Sequence, residues 1–220
     1  MLTIITPFTG VYFISILISS TVRPFPYPSR PSLFRERAGT RSFTGSNRII
    51  NLFYPIMKES IFSFFNAPIT NQVPNGVICV SQLYAYITTS EWLRERTDQV
   101  RAASSDEKRF RRLKQSLLPY VTPAGIFSYR KEDHLLMPSG EFVIDIDHLS
   151  SPEEAICWRD TLFADERLRP DLSFVSPSTT GIKLLVPYRL SIKKTVEESF
   201  DEAVRFAWEY LEWKYGLKAD

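Results

Sequence analysis

Phe142-Val143-Ile144-Asp145-Ile146-Asp147-His148-Leu149 sets two acids into an otherwise apolar run. Phe142, Val143, Ile144 and Ile146 read as a buried strand. Side chains alternate along a strand, so Asp145 and Asp147 point to one face. Carboxylates that close repel unless a cation lies between them. Mg²⁺ and Mn²⁺ prefer oxygen ligands and commonly bridge carboxylates to substrate phosphates. In the competing reading one Asp caps the next helix and the other is solvated at the strand end. The apolar run before the pair and the turn and helix after it take weight from that reading.

Downstream, Ser150 to Phe163 reads as a helix with Ser151 as N-cap, Pro152 at its first position, and Glu153 and Glu154 at the positive end of its dipole. Strands are expected at 172–176 and 181–188. Between them lies Ser176-Pro177-Ser178-Thr179-Thr180-Gly181, with Lys183 just beyond. Hydroxyls, a flexible glycine and a following lysine suit a loop that holds phosphate through backbone N–H groups and one cation. The glycine spacing of a Walker A loop is missing, and no helix follows. An ordinary polar turn with Lys183 on an exposed strand face is the plainer alternative. Thr195 to Tyr215 is the strongest helix: Thr195 and Glu198 form a capping box, Phe200, Ala203, Val204, Ala207, Trp208 and Leu211 form its apolar stripe, and Gly216 ends it.

Upstream, residues 80–103 read as one or two helices and 105–118 as another, with strands at 120–129 and 141–147. Helices and strands alternate irregularly, which favours α+β over a doubly wound sheet. Arg109, Arg111, Arg112 and Lys114 form a basic cluster on one of these helices, a candidate nucleic-acid contact whose bland reading is a solvated face.

Charge divides the chain. Residues 1–56 hold six arginines against the single acid Glu36 and so carry +5, leaving −3 for 57–220 in a protein of net charge +2. The first 22 residues are uncharged, but Pro7, Gly10 and several Ser and Thr dilute the apolar run, and 23–32 is proline-rich. A spanning helix needs about 20 mostly apolar residues. We therefore expect 1–56 to be a poorly structured extension or mis-assigned start, with Met57 opening the folded domain 57–220 and no membrane association. Two cysteines and two histidines in 220 residues exclude a disulfide scaffold and a Cys/His zinc cluster. Cys79 and Cys157 read as core residues of a reducing compartment.

A DxD strand, a helix and a strand–turn–strand bearing Ser and Lys make the layout of a palm that handles metal and nucleotide. From Met57 the chain resembles the N-terminal primase-like domain that precedes virulence-associated-E-type (VirE) helicases in Bacteroidetes, within the archaeo-eukaryotic primase superfamily. The resemblance is carried by IFSFFNAPITNQVP, the Leu83-Tyr84-x-Tyr86-Ile87 helix, and Lys114 leading into LLPYVTPAGIFSYR. It continues through PSGEFVIDIDHL, SPSTTGIKLLV and the long helix ending KYGLKAD.

The resemblance implies a primase-type palm, an RRM-like antiparallel sheet with helices, incomplete at its C-terminus. It implies metal-dependent nucleotidyl transfer in the cytoplasm as part of a mobile-element replication protein. Mg²⁺ or Mn²⁺ would be the cofactor, a nucleoside triphosphate and DNA the partners, with a helicase/ATPase domain following in the full gene. Asp145 and Asp147 match the superfamily's catalytic, metal-binding DxD. Ser176, Ser178, Gly181 and Lys183 match the family's Ser-Pro-Ser-Gly-x-Gly-x-Lys nucleotide-phosphate stretch. The histidine of most primases is missing there, Thr179 replaces the first glycine, and Pro138 stands where relatives tend to have histidine. Asp220 is the candidate third carboxylate. Arg109, Arg111 and Arg112 would meet nucleic acid. The alternative is a non-catalytic nucleic-acid-binding module that keeps the palm and serves a downstream helicase. A third reading, a dehalogenase-type phosphatase, also uses a DxD strand but wants a doubly wound sheet.

Overall fold

The computed structural model of the chain describes residues 16–17 and 59–219. Its strands are β1 (Ile16–Leu17), β2 (Ile61–Phe65), β3 (Gly76–Cys79), β4 (Tyr120–Thr122), β5 (Gly125–Phe127), β6 (Leu135–Pro138), β7 (Glu141–Ile146), β8 (Leu172–Val175) and β9 (Ile182–Pro187). The five helices are α1 (Val80–Thr89), α2 (Glu91–Arg101), α3 (Glu107–Leu117), α4 (Pro152–Phe163) and α5 (Val196–Tyr215). The strands form three small sheets, ordered β1-β4-β2-β3, β5-β6 and β7-β9-β8, and every pairing is antiparallel. This is an α+β fold, and its sheets remove the doubly wound phosphatase reading. Strand β1 falls inside the segment read as an N-terminal extension; the rest of that segment, Met57 and Asp220 lie outside the described residues.

The sheet β7-β9-β8 decides the architecture because both of its faces are covered. All six residues of β7 are buried, as are the first five of β9 and all four of β8. Alternation sorts them between two cores. Val143, Leu185, Leu172 and Phe174 join Phe62, Phe65, Leu83, Ile87, Leu93 and Tyr120 in one. Ile144, Ile146, Val175, Ile182 and Leu184 join Ala155 and Leu162 of α4 and Phe200, Val204, Ala207 and Leu211 of α5 in the other. Burying each large apolar side chain contributes about 1.5–3 kcal/mol.

Local signals set the helix ends. Ser151 Oγ accepts from Glu154 N–H, and Pro152 opens α4. Thr195 and Glu198 form the expected capping box on α5, and Gly216 closes that helix at φ 66°, in the left-handed region that favours glycine. The buried stripe of α5 differs from the expected one: Tyr210 and Ser199 are buried, while Trp208 and Ala203 are only partly so. Tyr210 turns inward because its hydroxyl donates to Asp165, as do Lys214 and the Tyr215 hydroxyl. Burial opposes ionisation of Asp165, but those donors and the N–H groups of Leu168 and Arg167 outweigh it and hold its pKa well below the usual carboxylate range. Cys79 is half-buried and Cys157 exposed, which corrects the reading of both as core residues.

Two strands arise where one was expected. Pro123 and Ala124 turn the chain inside 120–129, so β4 joins one sheet and β5 another. Ser63 of β2 ties the two together: its hydroxyl accepts from Phe127 N–H at 2.9 Å.

Glu141 carries a carboxyl into the first core at the start of β7, fully buried. Ser60 Oγ donates to it at 2.9 Å. Burial first, then the neighbouring Asp171 carboxylate, push its pKa up to about 9. The folded protein therefore keeps a proton that the unfolded chain releases above the ordinary glutamate value of 4.5. The stability linked to this group is complete below that value and is lost as pH rises towards about 9. Glu141→Gln keeps the acceptor for Ser60 without the titration. Thermal unfolding followed from pH 5 to 9 should show a flatter pH dependence in the variant, with a gain of roughly 1–3 kcal/mol at the alkaline end.

Candidate functional site

The C-terminal end of β7 and the start of β9 place the expected residues together. Antiparallel register sets Asp145 directly opposite Lys183, and Lys183 opposite Phe174 on its other side. Lys183 Nζ donates to Asp145 Oδ2. The two side chains are 8% and 5% exposed, so this is an ion pair withdrawn from water. Lys183 is thus not the exposed strand lysine of the plainer reading. Asp145 Oδ1 is buried and has no hydrogen-bond partner among the described residues. A carboxylate oxygen left this way is under-satisfied and open to a further cation or donor.

Asp147 lies one residue beyond the strand, half-buried. It packs against Gly181: a Cβ built on that glycine would lie 2.1 Å from Asp147 Oδ1, 2.9 Å from Ser176 Oγ and 3.1 Å from the Ile146 carbonyl oxygen. Only glycine lets β9 begin so close to the second acid.

The connection from β8 to β9 is a tight turn. Ser176 N–H donates to the Gly181 carbonyl at 2.7 Å, and Thr179 N–H to the Ser176 carbonyl at 3.0 Å. Ser176 and Ser178 share a hydroxyl–hydroxyl hydrogen bond of 2.7 Å. Leu149 N–H donates to Thr180 O at 2.8 Å, which fastens the turn to the segment following Asp147. Thr179 stands at φ 69°, in the left-handed region. A β-branched residue is strained there, and glycine would not be. The position that departs from the resembled family's glycine is thus one whose backbone favours glycine, and the turn closes with threonine in it.

One contributor comes from far upstream. Phe110, Leu113 and Leu117 of α3 pack against the first core. Lys114 lies on the same helical stripe, at i+4 from Phe110 and i−3 from Leu117, so it projects towards the sheet face that bears Asp145 and Lys183. Burial, with repulsion from Lys183 and Arg111, pushes the Lys114 pKa down, while Asp147 and Asp145 pull it back up. Two carboxylates and two ammonium groups therefore share one half-closed place. Arg101 at the end of α2 reaches the turn as well, donating from Nε to Pro177 O at 3.4 Å.

The basic cluster of α3 is divided by this geometry. Lys114 faces the acids. Arg111 is partly exposed and paired with Glu107 at 3.0 Å. Arg109 and Arg112 are exposed. His148 is exposed at φ 62°, next to the site. Among the described residues no group of three or more His, Cys, Asp or Glu side chains is placed to hold a metal ion, and Asp220 lies outside them. No helix among the described residues is long and apolar enough to cross a membrane.

Residues 112–218 match the family model described as BT4734-like, N-terminal domain. The matched segment begins just before Lys114 and takes in β7, the turn, β9 and α5. No curated protein and no solved structure matches the chain.

Gly181→Ala tests the close approach. The added methyl meets a backbone carbonyl as well as two side chains, so Asp147 and the turn must both shift. The variant should lose roughly 1–3 kcal/mol of stability in denaturant titration. An unchanged midpoint would show that the turn yields freely and that Asp147 is not held against it.

Proposed function

We propose that this domain carries out metal-dependent nucleotidyl transfer on nucleic acid, with a primase-type palm as its fold. The observation that carries the reading is the convergence, at one end of a fully covered sheet, of Asp145, Asp147, Lys183, Lys114 and the Ser176–Gly181 turn. Burying charges is costly, and a sheet with two apolar faces has no structural need of the buried Asp145–Lys183 pair with the half-buried Asp147 and Lys114 beside it. Their placement suits a substrate that itself carries charge.

The residues fit a divalent cation at the acid pair. Asp145 Oδ1 is an orphaned buried acceptor, and Asp147 adds hard oxygen ligands beside it. When bound, Mg²⁺ or Mn²⁺ would polarise the α-phosphate and favour ionisation of an attacking 3′-hydroxyl. The chain's own residues do the rest. Asp145 and Asp147 hold the charge in place. Lys183 and Lys114 offer ammonium groups to the triphosphate oxygens. At the turn the part-exposed Ser178 hydroxyl, with the buried Ser176 hydroxyl as its hydrogen-bond partner, would serve the same phosphates as a donor. Arg109 and Arg112, exposed on the outer side of α3, suit contact with a nucleic-acid backbone.

A second reading is favoured by one observation. Among the described residues only two carboxylates are gathered, and a lysine already neutralises one of them. On that reading the domain keeps the palm and binds nucleic acid for a downstream helicase without catalysis.

Nucleotide incorporation separates the two. The protein with Mn²⁺, a primed template and deoxynucleoside triphosphates should extend the primer, and Asp145→Asn with Asp147→Asn should abolish extension. Lys183→Ala should weaken triphosphate binding about tenfold, the effect of losing one charge-assisted hydrogen bond of ~1.5–3 kcal/mol. Single-stranded DNA affinity, measured at one fixed salt concentration, should hardly change in that variant. DNA binding without incorporation, unaffected by the acid substitutions, would instead support the binding module.

A further inference from the structure

We propose that Lys183 and a divalent metal compete for the Asp145 carboxylate, and that triphosphate draws Lys183 away, so that metal and nucleotide bind cooperatively. The proposal rests on the reading of the site given above and goes beyond it by assigning Lys183 two partners in turn.

Three observations carry it. First, the ammonium of Lys183 lies directly on Asp145 Oδ2, on the face that Asp147 also borders. A metal joining these acids would come close to that ammonium, and two like charges cannot share one carboxylate in a place shielded from water. Second, Asp145 keeps Oδ1 without a partner, so its affinity for cations is only half used. Third, Lys183 is the second residue of β9, just past the Ser176–Gly181 turn. Its backbone is fixed by pairing with both β7 and β8, while its four-carbon stem is flexible. The side chain can therefore swing between the acid and the turn without disturbing the sheet.

Charge balance gives the direction of coupling. Asp145 and Asp147 are offset by Lys183 and Lys114. A bare metal ion adds positive charge to a balanced site and must displace Lys183 with nothing to receive it. A metal–triphosphate complex brings net negative charge, offers Lys183 phosphate oxygens, and leaves Lys114 beside them. Each ligand thereby prepares the place of the other, and the coupling is reciprocal.

The test uses Mn²⁺ binding to the full chain by isothermal titration calorimetry, with and without a non-hydrolysable deoxynucleoside triphosphate analogue. Wild type should bind Mn²⁺ at least about tenfold more tightly when the analogue is present. Lys183→Met should bind Mn²⁺ alone about tenfold or more tightly than wild type. It should also lose most of the coupling and bind the analogue more weakly. Its thermal midpoint should rise more on adding Mn²⁺ than that of wild type, because the metal then supplies the charge that Asp145 has lost. Lys183→Gln, which keeps a donor to Asp145 without the charge, should fall between the two and serves if the methionine variant does not fold.

Mn²⁺ affinity that is unchanged or lower in both Lys183 variants, yet abolished by Asp145→Asn, would overturn the competition while leaving the metal site standing. Absence of Mn²⁺ binding in wild type and both variants, with and without the analogue, would overturn the competition together with the reading beneath it.

Discussion

A charge pair inside a sheet that has no wet face is the constraint around which this domain is arranged. Asp145 and Lys183 sit opposite each other on neighbouring strands, both buried. Neither charge is tolerable there alone, since leaving one buried without the other costs about 3–5 kcal/mol. The pair therefore pins the register of β7 against β9. A slip of one residue would turn Asp145 into the second core, against Ile182 and Leu184, with no partner there. The same register sends Val143 and Leu185 to one core and Ile144 and Leu184 to the other. Chemistry and packing are thus set by one alignment.

Much of this was legible because its signals are local. The caps of α4 and α5 lie within a few residues of the helix starts they define, and both expected caps are present. Strands β7, β8 and β9 stand out as apolar runs, and the structure places each within a residue or so of its expected span. The short pieces were not legible. β3 and β6 hold four residues each, and β3 mixes exposed and half-buried positions. Their strand character comes from partners elsewhere in the chain, which periodicity does not report.

The site divides along the same line. Asp145, Asp147, Ser176, Ser178, Gly181 and Lys183 were visible as motifs, and they do come together at one end of the sheet. That Lys183 meets Asp145 itself depends on how many residues the turn contains, and no motif encodes that. Lys114 was hidden among neighbours of like charge. Its helical stripe with Phe110 and Leu117 was the available signal, because a lysine among core-facing positions needs an acid to meet. Arg111 and Arg112, adjacent in sequence, end in different surroundings because successive helical residues diverge by about 100°.

Gly181 and Asp147 are separated by 34 positions along the chain yet touch at the distance a single methyl would fill. Their sequence histories are therefore tied. A lineage can acquire a side chain at 181 only after shortening the one at 147, and it can lengthen the acid at 147 only while 181 stays bare. A side chain gained at 181 before that exchange passes through a clash, so change at 181 is expected to follow change at 147. Across relatives of the domain a side chain at 181 would then accompany a shortened residue at 147, and one standing beside an unshortened acid would mark a lineage in which the turn has been rebuilt.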